Sequence, residues 1–284
     1  MNLNRKMVLV IGLASLTLFS GAFAKPKKEI IKTYDAKESI RIKTVSGDCI
    51  VEKGDADKII VRLEYSIYPE DVFEPEFKER DNSLRLDEEF YGSSSGSSKW
   101  YLSVPDGTDI RFSSASGNFS AEGLDLDVII STASGDIDIL DCGGRFEGST
   151  ASGNILLEGS RGEFNLSTAS GNVDAMETKF EDDCELSSAS GDVLVRLTES
   201  LTHDFIIRSA SGDAVLDYDG NPVKGYFEFV VKYRDGRIKS PFDYDDEEKF
   251  RRWGDQYIRK SFTRETDSLE ISIFSASGRA ELRD

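Results

Sequence analysis

The chain has 284 residues and a formal net charge of −18 at pH 7, from 35 basic and 53 acidic side chains. This charge argues against nucleic-acid binding, because phosphate backbones require a basic surface. It argues equally against direct docking on anionic lipid. The length suits one long domain or two modest ones.

Residues 1–24 have the pattern of a secretory signal peptide. Arg5 and Lys6 supply the positive end, residues 7–19 form an apolar stretch too short to span a bilayer, and Ala22-Phe23-Ala24 is an A-x-A cleavage site. We therefore expect export through the Sec route and a mature chain without a transmembrane segment. The protein would then reside in the periplasm or at the cell surface.

Residues 25–109 are predicted to form an N-terminal β cap and the first rung of a repeat. Strand-like runs occur at residues 59–65, 84–86 and 100–104, and turn-forming residues separate them. Their spacing is irregular, as expected for a terminal unit that covers the open end of a stack of strands.

A short motif recurs eight times along the chain. It reads Ser or Thr, a small residue, Ser, Gly and then Asp, Asn or Arg, and its glycines are Gly47, Gly117, Gly135, Gly153, Gly171, Gly191, Gly212 and Gly278. From Gly117 to Gly212 the spacings are 18, 18, 18, 20 and 21 residues. A period near 20 residues predicts a solenoid, and it is too short for a strand-helix-strand unit of about 30 residues. We expect each glycine to form a corner with positive φ.

Apolar residues stand at fixed distances from each glycine. They occupy the positions seven and five residues before it and two and four residues after it; Gly148 is the one small exception. Spacing by two predicts two strands per unit, each with one buried face. The predicted fold is therefore all-β, a single parallel β-solenoid (β-helix) with rungs of about 18–21 residues.

The segment from Val104-Pro105-Asp106-Gly107-Thr108 through Ile110 to Asn118, followed by tandem Thr-Ala-Ser-Gly-Asp/Asn units, resembles the bacterial "putative adhesin" family of unknown function. The resemblance covers roughly residues 40–284. It implies a β-solenoid on an exported or membrane-linked protein. It brings no established activity, cofactor or catalytic residue.

Residues 110–284 are predicted to form the solenoid repeats, interrupted by a helical insertion at about 240–262. Phe250, Trp253 and Tyr257 recur at steps of three and four residues, acids precede them and basic residues follow them. This arrangement favours an amphipathic helix whose charges complement its dipole. Its aromatic face would pack on the solenoid or contact a partner, with Trp253 as the candidate contact residue.

No motif for catalysis, cofactor binding or metal binding stands out. His203 is the only histidine, and there is no Gly-x-Ser-x-Gly nucleophile motif. Acids after the repeat glycines alternate with Asn118, Asn154 and Asn172, which favours a ladder of side chains over a calcium site. Cys49, Cys142 and Cys184 are expected to be buried thiols, with a bridge between Cys142 and Cys184 as the alternative.

One outward-facing column of the predicted solenoid consists of serine. It lies four residues before the glycines and comprises Ser113, Ser131, Ser149, Ser167 and Ser187. A flat hydroxyl row could bind an envelope protein or a polysaccharide. The leading interpretation is an exported, non-enzymatic, adhesin-like structural or binding protein. The alternatives are a carbohydrate-active lyase or hydrolase on a β-helix, and a self-assembling envelope scaffold.

Overall fold

The computed structural model describes residues 27–252 and 254–284, so the predicted signal peptide lies outside the described residues. Across these two segments no helix is long and apolar enough to cross a bilayer. The regular secondary structure of the described chain is β-strand, apart from one short 3-10 turn at Glu70–Val72. The all-β prediction is confirmed.

The regular rungs each contribute one strand to each of two sheets. Strands before the corner glycines form sheet 1, and strands after them form sheet 2. The first rung consists of β2 (Ser39–Lys43) and β3 (Asp48–Lys53). The next strands are β8 (Asp109–Ser114), β9 (Phe119–Glu122), β10 (Asp125–Thr132), β11 (Ile137–Leu140), β12 (Gly143–Thr150), β13 (Ile155–Glu158), β14 (Arg161–Thr168), β15 (Val173–Phe180), β16 (Cys184–Ser188), β17 (Val193–Leu197), β18 (Phe205–Ser209) and β19 (Ala214–Asp217).

Adjacent rungs pair in parallel, with equivalent residues opposite one another. In sheet 1, Val128 pairs with Ile110 on one side and with Phe146 on the other. In sheet 2, Ile137 pairs in the same way with Phe119 and Ile155. The register therefore follows the glycine repeat, which confirms the predicted β-solenoid.

The core consists of the apolar columns between the two sheets. Every residue of the four apolar columns is buried except Gly148, which is partly exposed. Like residues stack along the axis, as with the Phe146 and Phe164 rings, whose centroids are 5.4 Å apart. Because each fully buried side chain of this size contributes about 1.5–3 kcal/mol, the columns dominate the stability of the fold.

The N-terminal end is covered by strands that follow the first rung in sequence but lie outside it in space. These are β4 (Lys58–Tyr68), β5 (Phe73–Glu79), β6 (Ser83–Phe90) and β7 (Ser95–Val104), together with β1 (Lys28–Asp35). β6 and β7 stack in parallel on β2 and β3. β5 then pairs antiparallel with β6, and β4 lies antiparallel between β7 and β1.

Glu88 joins this end to the first corner. Its Oε2 accepts a hydrogen bond of 2.9 Å from the Val45 amide, and its Oε1 accepts one of 3.0 Å from the Trp100 indole and one from the Ser98 hydroxyl. A buried carboxylate needs such donors to offset lost hydration. Glu88 thus supplies hydrogen-bond acceptors to the first corner, at the position that an adjacent rung occupies at the other corners.

The C-terminal end contains β20 (Gly225–Lys232), β21 (Arg237–Lys239), β22 (Asp246–Arg252), β23 (Asp255–Arg264), β24 (Glu270–Ser275) and β25 (Arg279–Arg283). β24 and β25 form the last rung, on β18 and β19. β20 pairs in parallel with β24, and β23 lies antiparallel between β20 and β22. β21 pairs with β25 at the edge of sheet 2.

The predicted helical insertion at 240–262 is wrong, because this segment contains the β22–β23 hairpin. Phe250 and Tyr257 are directly opposite cross-strand partners with stacked rings 5.8 Å apart. The charges also pair across the strands, as in the 2.9 Å contact between Lys260 Nζ and Glu247 Oε2. Gly254, with φ +88°, lies in the turn. Cross-strand pairing therefore accounts for a pattern that resembles helical spacing.

Candidate binding face

The corner between the two sheets is built by the Ser or Thr that begins each motif. The Thr132 hydroxyl donates to the Gly117 carbonyl of the adjacent rung at 3.1 Å and accepts from the Gly135 amide of its own rung at 3.1 Å. The same pair of bonds is made by Thr150, Thr168, Ser188, Ser209 and Ser275. Each hydroxyl therefore satisfies two buried backbone groups and joins two rungs.

The repeated glycine is required by close approach between rungs. The expectation of positive φ is wrong: none of the eight corner glycines has it. A Cβ on Gly135 would instead lie 1.9 Å from the Gly117 carbonyl oxygen, and one on Gly153 would lie 1.9 Å from that of Gly135. Any side chain at these positions would force neighbouring rungs apart.

The Asp or Asn after the glycine forms a second ladder. Asn118 Oδ1 accepts from the Asp136 amide at 2.8 Å, and Asp136 Oδ1 accepts from the Asn154 amide at 2.7 Å. The pattern continues from Asp48 to Arg279 in seven links of 2.7–3.0 Å. One side-chain oxygen of each residue is therefore used to join rungs. Within the described residues, no group of three or more His, Cys, Asp or Glu is arranged to hold a metal ion.

The five candidate serines are brought together in one straight column on the outer face of sheet 1. Ser131 pairs in register with Ser113 and Ser149, and Ser167 pairs with Ser149 and Ser187. Neighbouring strands lie about 4.8 Å apart, so the hydroxyls repeat at that interval. The column continues into Lys43 at one end and Arg208 at the other.

Small exposed residues at the corner widen this column into a strip. Ala133 and Ser134 follow Thr132 and are exposed, and the equivalent Ala-Ser pairs are exposed in the neighbouring rungs from Ala115 to Ser190. We call these residues together with the five serines the serine strip. Because none of them has a long side chain, the strip is flat, and it carries no charge of its own.

The second candidate contact, Trp253, falls outside the described residues. Around it, Phe250 is half-buried and Tyr257 is buried against Phe274, at a ring distance of 6.3 Å. Tyr257 therefore packs on the last rung of the solenoid, and Phe250 stacks on Tyr257.

The histidine and the cysteines take no part in the strip. His203 is exposed, and its Nδ1 lies 3.1 Å from the Thr202 hydroxyl. Cys49, Cys142 and Cys184 are free and buried, so the bridge considered between Cys142 and Cys184 does not form. Burial raises the pKa of all three thiols, that of Cys184 to about 12. Thiols in this state are unreactive at neutral pH.

Several solved bacterial structures are similar to this chain. One is the structure of a protein described as a putative adhesin, from Bacteroides fragilis. Its sequence is 17% identical to this chain, the TM-score is 0.50, and the alignment covers 91% of this chain and 98% of that chain. A second such adhesin, from Parabacteroides distasonis, has 13% identity and a TM-score of 0.39 over 90% and 97%. A structure described as a putative lipid binding protein from the same species has 11% identity and a TM-score of 0.35 over 91% and 96%.

No curated protein matches the chain in sequence. The model of the Toastrack DUF4097 family matches residues 38–282, from the first rung of the solenoid to its last strand. The match thus spans all the glycine corners and both end regions apart from β1. The chain belongs to the Toastrack DUF4097 family.

Proposed function

We propose that this chain is an exported, non-enzymatic, adhesin-like binding protein whose contact surface is the serine strip. The observation that carries the proposal is the in-register column from Ser113 to Ser187, bordered by exposed Ala-Ser corners. Each serine hydroxyl offers one donor and two acceptor sites. The strip therefore presents an even lattice of uncharged hydrogen-bonding groups.

A flat, repetitive surface suits a partner that is itself extended and repetitive. A neutral polysaccharide of the cell envelope or of a surface fits this requirement best, because its hydroxyl groups can donate and accept at successive rungs. Each hydrogen-bonded contact would be weak alone. Once one contact has formed, however, the rigid scaffold holds the next serine at a high effective concentration near the glycan, so the overall affinity rises. An envelope protein with a flat polar face is the second partner class.

The use of the repeated polar groups supports a non-catalytic role. The motif hydroxyls and the Asp and Asn side chains are used in bonds between rungs, as for Thr132 and Asp136. A catalytic centre needs a singular geometry, whereas these groups recur in every rung. This argument weighs against the alternative of a lyase or hydrolase.

Three of the four edge strands in the described chain weigh against a self-assembling scaffold. The edge strand β5 carries Pro75 and four charged residues, β22 carries six charged residues, and β21 has only three residues. Short, charged or proline-containing edges discourage pairing with another chain. Export is supported by the signal-like sequence of residues 1–24 and agrees with the adhesin description of the Bacteroides fragilis structure.

The test is a glycan array that includes neutral polysaccharides, probed with the full chain and two triple variants. Ser131→Lys/Ser149→Lys/Ser167→Lys places long side chains on the strip. Leu140→Lys/Leu156→Lys/Leu194→Lys adds the same charge on the outer face of sheet 2. We expect neutral glycan binding that is lost in the serine variant and kept in the leucine variant. Equal binding by both variants, or no binding by the wild type, would contradict the proposal.

A further inference from the structure

A cationic groove lies at the N-terminal end of the outer face of sheet 1. It encloses about 600 Å³ and is lined by residues of β2, β5, β6, β8, β10 and β12. Six basic side chains line it: Arg41, Lys78, Arg80, Arg85, Arg111 and Arg145. In a chain with net charge −18, this concentration of positive charge is a local exception.

Three of these arginines form one column across three adjacent strands. Arg41 pairs in register with Arg85 on one side and with Arg111 on the other, which spaces them at about 4.8 Å. Like charges directly opposite one another destabilise a sheet. The column therefore has an electrostatic cost that a bound anion would offset.

Carboxylates of the chain neutralise only part of the groove. Arg85 is paired with Asp87 and Lys78 with Glu76, and Arg145 Nε lies 2.7 Å from Glu163 Oε2. Among the residues that the structure describes, no carboxylate lies within salt-bridge distance of Arg41 or Arg111, although the chain has 53 acids.

Three acidic residues also line the groove, on the side of β8, β10 and β12. They are Asp109, Asp127 and Glu147, so the lining itself holds six basic and three acidic side chains. Asp127 Oδ1 already accepts from the Arg145 amide at 3.2 Å. The positive part of the groove is thus centred on Arg41, Arg111 and Arg80.

An apolar residue continues the arginine column. Ile129 pairs in register with Arg111, lines the groove and is 41% exposed. Guanidinium groups beside an apolar surface suit a ligand with both charged groups and C–H faces. Arginine also binds carboxylate and sulfate oxygens through two parallel N–H donors.

We propose that the groove binds an acidic polysaccharide, with carboxylate or sulfate groups held by Arg41 and Arg111 and a sugar face packed on Ile129. An extended charged glycan carries its anionic groups at regular intervals, as the column carries its guanidinium groups. Nucleic acid is a poorer occupant, because proteins bind single strands largely by stacking bases on aromatic side chains, and the residues that line the groove include none. The groove deepens the proposed adhesin-like role by naming a charged glycan, but it is separate from the serine strip and can be tested alone.

The test measures affinity of the full chain for polygalacturonate, dextran sulfate, neutral dextran and single-stranded DNA. The groove variant is Arg41→Gln/Arg111→Gln, and the matched control is Arg196→Gln/Arg234→Gln, which removes two exposed arginines outside the groove. We expect at least one acidic glycan to bind more tightly than dextran and DNA. The groove variant should then bind it at least about tenfold more weakly, and the control should match the wild type.

Folding is checked by thermal unfolding, and Arg41→Lys/Arg111→Lys keeps the charge if the glutamine variant does not fold. The lysine variant should bind less tightly than the wild type, because it lacks the bidentate donors. The proposal is overturned by equal affinity of the groove and control variants, by DNA binding as tight as glycan binding, or by no binding to either acidic glycan. Because neutral glycans report on the serine strip, either proposal can fail while the other stands.

Discussion

The Thr150 hydroxyl donates a hydrogen bond of 2.9 Å to the Gly135 carbonyl oxygen of the adjacent rung. The Thr150 hydroxyl oxygen in turn accepts a hydrogen bond of 3.1 Å from the Gly153 amide of its own rung. Thr150 is buried, so neither backbone group has water as an alternative partner. The first residue of the motif is therefore a structural link between rungs, which explains why a hydroxyl residue recurs at that position.

Replacing this hydroxyl should weaken the solenoid. Thr150→Val keeps the shape of the side chain but leaves a buried donor and a buried acceptor without partners. We expect a loss of about 2 kcal/mol in the free energy of unfolding, measured by urea denaturation. Thr150→Ser keeps the hydroxyl and should lose less. A valine variant as stable as the serine variant would contradict the assigned role.

A side chain at a corner glycine should be more damaging than one on the strip. In Gly153→Ala the new Cβ would lie 1.9 Å from the Gly135 carbonyl oxygen, which belongs to the backbone of the adjacent rung. We expect a loss of about 2 kcal/mol or more. The control Ser152→Ala changes the preceding, exposed residue and should stay within about 0.5 kcal/mol of the wild type. Equal stability of the two variants would argue against close contact between rungs.

Glu281 should contribute to the dependence of stability on pH. Its burial alone would raise its pKa, but hydrogen bonds from Arg283 and Lys239 outweigh burial and hold the pKa below the ordinary 4.5. A lowered pKa stabilises the fold above the unfolded value, and this contribution is lost as pH falls through the folded value. Glu281→Gln should therefore be less stable than the wild type at pH 7.

The difference between Glu281→Gln and the wild type should shrink as the pH falls below 4.5. Urea denaturation at a series of pH values measures it. Glu158→Gln, which alters an exposed glutamate of β13, should show a smaller difference throughout. A stability gap for Glu281→Gln that stays constant down to acid pH would show that its charge is not responsible.

The three cysteines should be unreactive until the protein unfolds. Burial raises the pKa of each thiol, so a thiol reagent at neutral pH should react slowly with the native protein. In denaturant without a reductant, all three thiols should react at once. Reaction of only one thiol in denaturant would indicate a bridge between two of them.

The solenoid could be predicted from the sequence because its determinants are local and repeated. The apolar residues at fixed offsets from Gly135 and its equivalents predict both the strand faces and the register. The reason for the glycines could not be predicted in the same way. It depends on the distance between Gly135 and Gly117 in adjacent rungs, which only the stacking of the rungs sets.

The end regions were less predictable because their pairings are not local. Phe250 and Tyr257 are seven residues apart, a spacing that fits one face of a helix as well as a hairpin. The hairpin forms because β23 pairs with the distant strand β20 as well as with β22. Part of the arginine column could be predicted from the sequence, because Arg41 and Arg111 both lie six residues before a motif glycine. Arg85 joins them only because β6 stacks on β2.

The most direct test of the proposed function compares two single variants of one rung. Ser149→Lys lies on the serine strip and Leu156→Lys on the outer face of sheet 2, and each adds one positive charge. Calorimetric titration with the neutral glycan that binds most tightly on the array should give an affinity at least about tenfold weaker for Ser149→Lys. The affinity of Leu156→Lys should equal that of the wild type. Equal affinities for all three proteins would contradict a binding role for the serine strip.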